Sequence, residues 1–336
     1  MSTNATKKIL VTGAGGPAGI AVIRSLRGMG VSTVGVDVNP LGAGLFLANE
    51  LAVVPPCTAP RYVESLLEVA RNHSANGLVS TMTEELAVLA GRESEFHAAG
   101  IAVWFPPQAA VEACLDKAKF AETTESAGQP VPLTGWGSVE DALAKVPGPW
   151  ILKPRFGRGS RNIVLAETDE EVLAAWPTVP DPILQHRLSG REFTIDALAF
   201  SDGTLAGAVP RFRLATTSGI STTGVTFSAP QLADLAEGLL QCLGLTGPAN
   251  IQGFIDGDSV GFTEINPRFS GGLPLSLASG CDLVGQFVAA MYGEAITVGR
   301  LGFRAGTCMV RHWDEVYLSR PVDAIGTLRP ITSERA

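Results

Sequence analysis

Residues 264–268 read Glu264-Ile265-Asn266-Pro267-Arg268, and the interpretation of the chain turns on them. The alternation about Ile265 marks the end of a strand, so Glu264 and Asn266, two residues apart, face the same side. A carboxylate and an amide oxygen paired this way suit a hard cation such as Mg²⁺, which takes few protein ligands and completes its octahedron with phosphate and water. The alternative is a solvated strand face ending in an Asn-Pro turn. Upstream, 250–255 and 260–265 read as two strands joined through Asp256-Gly257-Asp258. A three-residue turn pairs 252 with 262 and brings Gln252 onto the face of Glu264 as a third oxygen ligand; a two-residue turn puts it on the other face.

Further back, Lys153 ends the short apolar strand 150–153, directly before Phe156-Gly157-Arg158-Gly159-Ser160-Arg161. A lysine there meets phosphate as a point charge, and Gly157 and Gly159 let the loop backbone close over phosphoryl oxygens. Lys117, in Asp116-Lys117-Ala118-Lys119, is a second such cation or part of a solvated helix face. Glu192, Thr194 and Asp196 alternate with Phe193, Ile195 and Ala197, giving one core face and one polar face that reaches a ribose or water. Arg211 and Arg213 precede a Ser/Thr/Gly-rich run, 216–224, that reads as a mobile loop over the site or as a plain surface loop. Arg268, just past the oxygen pair, is a candidate to hold a substrate carboxylate or a transferring phosphoryl group, with backbone N–H groups of Gly271 and Gly272 beside it.

The first hundred residues differ in kind. Strands at 8–12, 31–36, 78–81 and 102–105 alternate with helices at 18–29, 62–72 and 84–99, the pattern of a parallel sheet. Gly13-Ala14-Gly15-Gly16-Pro17-Ala18-Gly19 opens the first helix, and Asp37 ends the second strand where a ribose-binding acid would lie. Dinucleotide binding and plain strand-to-helix packing both fit. Pro17 within the loop, and the lack of a nameable hydride-transfer site, favour packing. Glu84, beyond the third strand, either meets a substrate ammonium or sits as a carboxylate at a helix N-terminus. A helix at 108–127 leads to the strand-rich remainder, so an α/β lobe precedes an α+β one.

Composition agrees. The 336 residues exceed a usual single domain. Hydrophobic residues make up 46% and charged residues 17%, below the common quarter, which excludes a disordered chain. The net charge of −8 and the absence of a basic cluster exclude nucleic acid and anionic membrane as partners. No apolar run is long enough to span a bilayer, and the N-terminus lacks a signal-peptide pattern, so a cytoplasmic protein is expected. Five scattered cysteines without a CxxC read as reduced thiols, and the four histidines have no zinc spacing.

Taken in order, these motifs resemble the ATP-grasp superfamily over residues 106–293, most closely its branch of carbamoyl phosphate synthetase large subunits, biotin carboxylases and carboxylate–amine ligases. They are Asp116-Lys117, Lys153-Pro154 with its glycine loop, Gln185-His186-Arg187-Leu188 with Glu192 following, then Gln252 and Glu264 to Arg268. The resemblance implies a Rossmann-like pre-ATP-grasp domain at 1–107, a lid subdomain at 108–187 and a C-terminal subdomain with the Mg²⁺ site at 188–336. It implies that Lys117 and Lys153, with Gly157, Gly159 and Ser160, meet ATP phosphates. Gln185, His186, Arg187 and Leu188 would hold adenine, Glu192 the ribose, and Gln252, Glu264 and Asn266 Mg²⁺. Gln185 departs from the Glu common at that position. Glu84, Arg211, Arg213, Arg268, Gly271 and Gly272 remain as substrate candidates, with Arg268 and Lys153 as catalytic ones. The N-terminal glycine loop is then not an NAD site.

The activity so implied is an ADP-forming carboxylate–amine ligase that works through an acyl phosphate on a small amino acid or related metabolite. A phosphotransferase, a non-catalytic nucleotide-binding module and, more distantly, a nicotinamide oxidoreductase are the rivals. Dimerisation is common in that family.

Overall fold

The computed structural model describes residues 6–157, 162–312 and 314–318. They form two compact units. The first takes the chain to Gln108 and also Arg268–Phe303 and the stretch from Arg311; the second takes Ala109–Pro267 and Arg304–Val310. The stretch after Arg268 thus belongs with the first unit, where the linear reading placed it in the C-terminal subdomain.

In the first unit, β1 (Lys8–Thr12), β2 (Ser32–Asp37), β3 (Glu50–Val53) and β4 (Gly77–Val79) form a parallel sheet of order β3-β2-β1-β4. The apolar run Ile9-Leu10-Val11 is wholly buried, as expected for a strand covered on both faces. The following helix, Pro17–Gly28, opens on a proline whose missing N–H costs nothing in the first turn. It packs so closely on the preceding loop that a Cβ on Gly19 would lie 2.3 Å from the Gly13 carbonyl. Two readings change. The expected strand at 102–105 is a single bridge between Gly77 and Ala102. The expected helix at 84–99 is two, Thr83–Leu89 and Glu93–Ala98, parted at Gly91, whose φ of 81° is left-handed. The returning segment supplies helices Leu273–Ala278 and Leu283–Met291, with the Phe287 ring stacked on Trp104 and met edge-on by Phe269.

The second unit has two antiparallel sheets. The smaller has the order β5-β8-β6-β7 and comprises β5 (Thr134–Trp136), β6 (Trp150–Pro154), β7 (Val164–Ala166) and β8 (Pro182–His186). The larger comprises β9 (Arg191–Ala199), β10 (Leu205–Thr217), β11 (Ile220–Thr226), β12 (Gly247–Asp256), β13 (Ser259–Asn266) and β14 (Cys308–Val310), in the order β13-β12-β9-β10-β11-β14. On one face of it, Phe193, Ile195, Ile251, Phe262 and Ile265 pack with Leu232, Ala236, Leu239 and Leu240 of helix Gln231–Leu243 in a single core. Burying that apolar face fixes the register, since a one-residue slip would expose it. The opposite face is polar and carries the candidate site. The run 216–224, read as a loop, is instead a hairpin: β10 and β11 pair to Thr217 and Ile220, and Ser218 and Gly219 turn at φ of 50° and 76°, both left-handed as a two-residue hairpin turn requires.

Candidate nucleotide and metal site

Pairing across the large sheet sets the polar face row by row. Glu264 lies opposite Gln252, which lies opposite Thr194, which lies opposite Arg211. The next row runs Asn266, Asn250, Asp196. The turn after β12 takes two residues, Asp256 pairing with Ser259, the case expected to put Gln252 on the wrong side. A bulge restores it: the register shifts between Gln252 and Gly253, leaving Thr263 as the extra residue. Glu264, Asn266 and Gln252 therefore share a face.

Their donor set is one carboxylate and two amide oxygens, hard ligands throughout. Among the described residues no group of three His, Cys, Asp or Glu could hold a metal. A site with one carboxylate fits a Mg²⁺ ion whose remaining ligands are phosphate and water. Asn266 Nδ2 donates to Glu264 Oε1 at 3.3 Å, which turns the amide oxygen of Asn266 away from that carboxylate.

Two lysines sense the charge of Glu264. Lys153, buried on β6, has its pKa pushed down to about 8 by burial, against the pull of Glu264 and helped by the nearby charge of Lys117. Its Nζ donates to Gln185 Oε1 at 2.8 Å, and Gln185 Nε2 donates to Thr134 Oγ1 at 2.9 Å. The three residues lie on neighbouring strands, β6, β8 and β5. Gln185 is buried, and its side chain positions the lysine. Lys117, lowered by burial and raised by Glu264 and Asp116, donates to the Gly157 carbonyl at 2.9 Å. The helix read as one piece breaks here. Asp116 caps Lys117–Ser126 through the Ala118 and Lys119 amides and takes a two-pronged contact from Arg155 at 2.7 and 2.6 Å. Neither Arg155 nor Thr134 was singled out from sequence, although the Asp-Lys pair carries the N-cap signal. Gly159 and Ser160 lie outside the described residues.

The hinge is tied by its backbone, with the His186 amide donating to Leu133 O at 3.0 Å and the Arg187 amide to Pro149 O at 2.8 Å. Arg187 also pairs with Glu167 at 2.6 Å, and Leu188 packs over Gly261. Arg211 is buried and engages Asp196 through two nitrogens at 2.9 and 3.2 Å, with Asn250 donating to the same carboxylate. Arg213 joins Glu192 at 2.6 Å and Gln252 at 2.9 Å.

The other candidates fall in the first unit. Arg268 donates to the Phe269 carbonyl at 2.9 Å, the Gly272 amide to Ser270 Oγ at 3.0 Å, and Arg311 donates to the Gly271 carbonyl. Glu84 is half-buried at the start of helix Thr83–Leu89. Its neighbour Glu85, passed over in sequence, is the buried acid. Thr12 and Ser80 donate to it, and burial raises its pKa. The glycine loop is filled by its own chain: the Gly15 amide donates to Asp37 Oδ2 at 2.7 Å, so the carboxylate placed for a ribose closes the loop instead.

The family model described as ATP-grasp in the biosynthetic pathway with Ter operon matches residues 178–307, and the PylC-like N-terminal domain model matches residues 9–104. The chain carries an ATP-grasp domain. Around it, the carbamoyl phosphate synthase large chain of Rubrobacter xylanophilus is 23% identical over 81% of this chain, which spans only 27% of that protein. The biotin carboxylase domain of Hydrogenobacter thermophilus 2-oxoglutarate carboxylase, crystallised with MgADP, ADP and bicarbonate, superposes with a TM-score of 0.70 at 18% identity, covering 88% of this chain and 72% of that one. L-amino acid ligase of Bacillus licheniformis follows at 0.66 and 14%, covering 86% and 75%. At these identities the superpositions establish the ATP-grasp fold and its preceding α/β domain.

Proposed function

We propose that the protein is an ATP-dependent, ADP-forming ligase that joins a small carboxylate, an amino acid or related metabolite, to an amine through an acyl phosphate. The observation that carries this reading is the convergence of Lys117 and Lys153 on the charge of Glu264, on the face that also holds Asn266 and Gln252. An ionised carboxylate is a poor electrophile, and transfer of a phosphoryl group to it needs positioning and charge neutralisation more than covalent help from the protein.

In this reading Lys153 and Lys117 bind the phosphates, the hinge 185–188 binds adenine and Glu192 the ribose. Glu264, Asn266 and Gln252 hold Mg²⁺, which supplies neutralisation of the triphosphate charge. Arg268, with the Gly271 backbone N–H, orients the acid to be phosphorylated; the Gly272 N–H, expected to share that task, already donates to Ser270 Oγ. The amine then attacks the acyl carbon and phosphate leaves. The chain's similarity to a structure bound to MgADP and bicarbonate, and to an L-amino acid ligase, supports this assignment. We place the protein in the cytoplasm, in keeping with five cysteines that form no disulfide. No helix among the described residues is long and apolar enough to cross a membrane.

The test is an ADP-release screen against acid and amine libraries, with mass spectrometry of the product. ADP release that requires an amine supports the ligase; release with the acid alone, leaving a phosphorylated product, identifies a phosphotransferase. Glu264→Ala is expected to abolish ADP release with an unchanged circular dichroism spectrum, because it removes a ligand at a strand end and no core volume. Near-normal turnover would refute the metal assignment.

A further inference from the structure

Arg213 makes contacts that no phosphate or substrate role explains. It projects from β10 onto the polar face, and its side chain is only 9% exposed. One nitrogen, Nη1, donates both to Glu192 Oε1 at 2.6 Å and to Gln252 Oε1 at 2.9 Å. The second, Nη2, donates to the Gly219 carbonyl at 2.8 Å, in the turn of the β10–β11 hairpin. Three acceptors from three separate segments thus share one planar cation.

We propose that Arg213 is a positioning residue that sets the ribose-binding carboxylate and the third metal ligand together and anchors the hairpin turn to both. This rests on the nucleotide reading given above. Each acceptor keeps the capacity it would need. The Gln252 amide oxygen has two lone pairs, one for Nη1 and one for a cation, and Glu192 retains Oε2 for a hydroxyl. Without the guanidinium, Glu192 is an uncompensated, half-buried charge, and only the long 3.4 Å contact of Gln252 Nε2 with Asn250 Oδ1 is left to keep the amide nitrogen from turning toward the metal position. The fork suits this task as an ammonium does not: its N–H groups diverge in one rigid plane, whereas lysine offers a compact point charge on a flexible stem. Three of the five N–H donors of Arg213, both of those on Nη1 among them, are spent on the protein itself.

Arg213→Lys keeps the charge and removes the fork. The experiment is calorimetric titration of the full chain with ADP and with 2′,3′-dideoxy-ADP, each with and without Mg²⁺, alongside thermal unfolding. It yields two ratios for each protein: the preference for an intact ribose and the gain in affinity from metal. In Arg213→Lys both ratios are expected to fall by about fivefold or more, the loss of roughly one charge-assisted hydrogen bond at each end. General loosening of the fold would weaken all four affinities by a common factor and leave the ratios intact, and that result would overturn the proposal. Arg213→Gln, which retains an N–H donor without charge, reads the same two ratios should the lysine variant fail to fold. Wild-type protein that binds no ADP would overturn the nucleotide reading and this proposal with it; wild-type ratios kept in either variant would overturn the role of Arg213 alone.

Discussion

Lys153 shows how a single buried residue carries a cost that the proposed ligand would offset. Burial favours its neutral form, and moving the pKa from 10.5 to about 8 separates the two forms by about 3 kcal/mol. In the nucleotide-free protein that penalty on the charged amine is present below pH 8 and is relieved as the pH rises from there toward the unfolded value of 10.5. A bound phosphate reverses the preference, because it stabilises the charged form. ADP affinity is therefore expected to be flat below about pH 8 and to fall above it by up to about tenfold per pH unit. Lys153→Met should bind more weakly and show no such break, as titration calorimetry across pH 6.5–9.5 would reveal; a break at the same pH in the variant would assign it to another group. Gln185 sharpens the point, because a neutral amide, 2.8 Å from Nζ, leaves the lysine without a carboxylate in direct contact. Gln185→Glu is expected to move the break upward by about one pH unit or more, while Thr134 turns its hydroxyl to donate to the new carboxylate. The sequence showed Gln185 as a departure from the family pattern but not its consequence, which depends on β6 and β8 being neighbours.

At the scale of elements, turns and bulges decide which side chains meet. The face of Gln252 hung on the length of one turn, and the local sequence contains nothing that announces a bulge at Thr263. Two features that each invert the face cancel, so Gln252, Glu264 and Asn266 share a face through a different register from the one that first suggested it. The hairpin after Arg213 was hidden for a related reason: Ser, Thr and Gly read as loop, whereas their role is to permit two left-handed residues in a strand-to-strand turn. By contrast, strands with one apolar face, such as Phe193 to Ala197, were legible at once, because burial enforces their period. Gly190, at the entry to β9 two residues before Glu192, offers a test at this scale. Its φ is 95°, and a Cβ would stand 2.3 Å from the Ile255 carbonyl on the paired strand. Gly190→Ala is expected to lower stability by about 2–3 kcal/mol, combining left-handed strain with backbone displacement, measured by urea unfolding. A loss within 0.5 kcal/mol would show that the strand entry can shift at little cost.

For the molecule as a whole, the assignment of segments to the two units is what sequence order could not supply. The motifs run continuously from Asp116 to Arg268, yet Arg268 and the glycines after it belong to the first unit, while Lys117, Lys153, the segment 185–188 and the candidate ligands Gln252, Glu264 and Asn266 belong to the second. No local pattern marks that return, since it is fixed by packing such as Phe287 on Trp104, far apart in the chain. The first unit's glycine loop, the most conspicuous signature in the sequence, is closed by Asp37 and has no part in the nucleotide site proposed here. Hydrogen exchange with and without MgADP tests this division directly. A ligand bound only by the folded form deepens protection where it is held, by about 2.7 kcal/mol at a hundredfold excess over Kd. Added protection is expected in β6, β8, β9, β12 and β13 and at the Ser218-Gly219 turn. The amides of residues 13–19 should exchange unchanged, because the Gly15 N–H already has its acceptor within the chain. Protection centred on residues 13–19 instead would transfer the nucleotide to the first unit, and the lysines and oxygen ligands of the second would need another ligand to explain them.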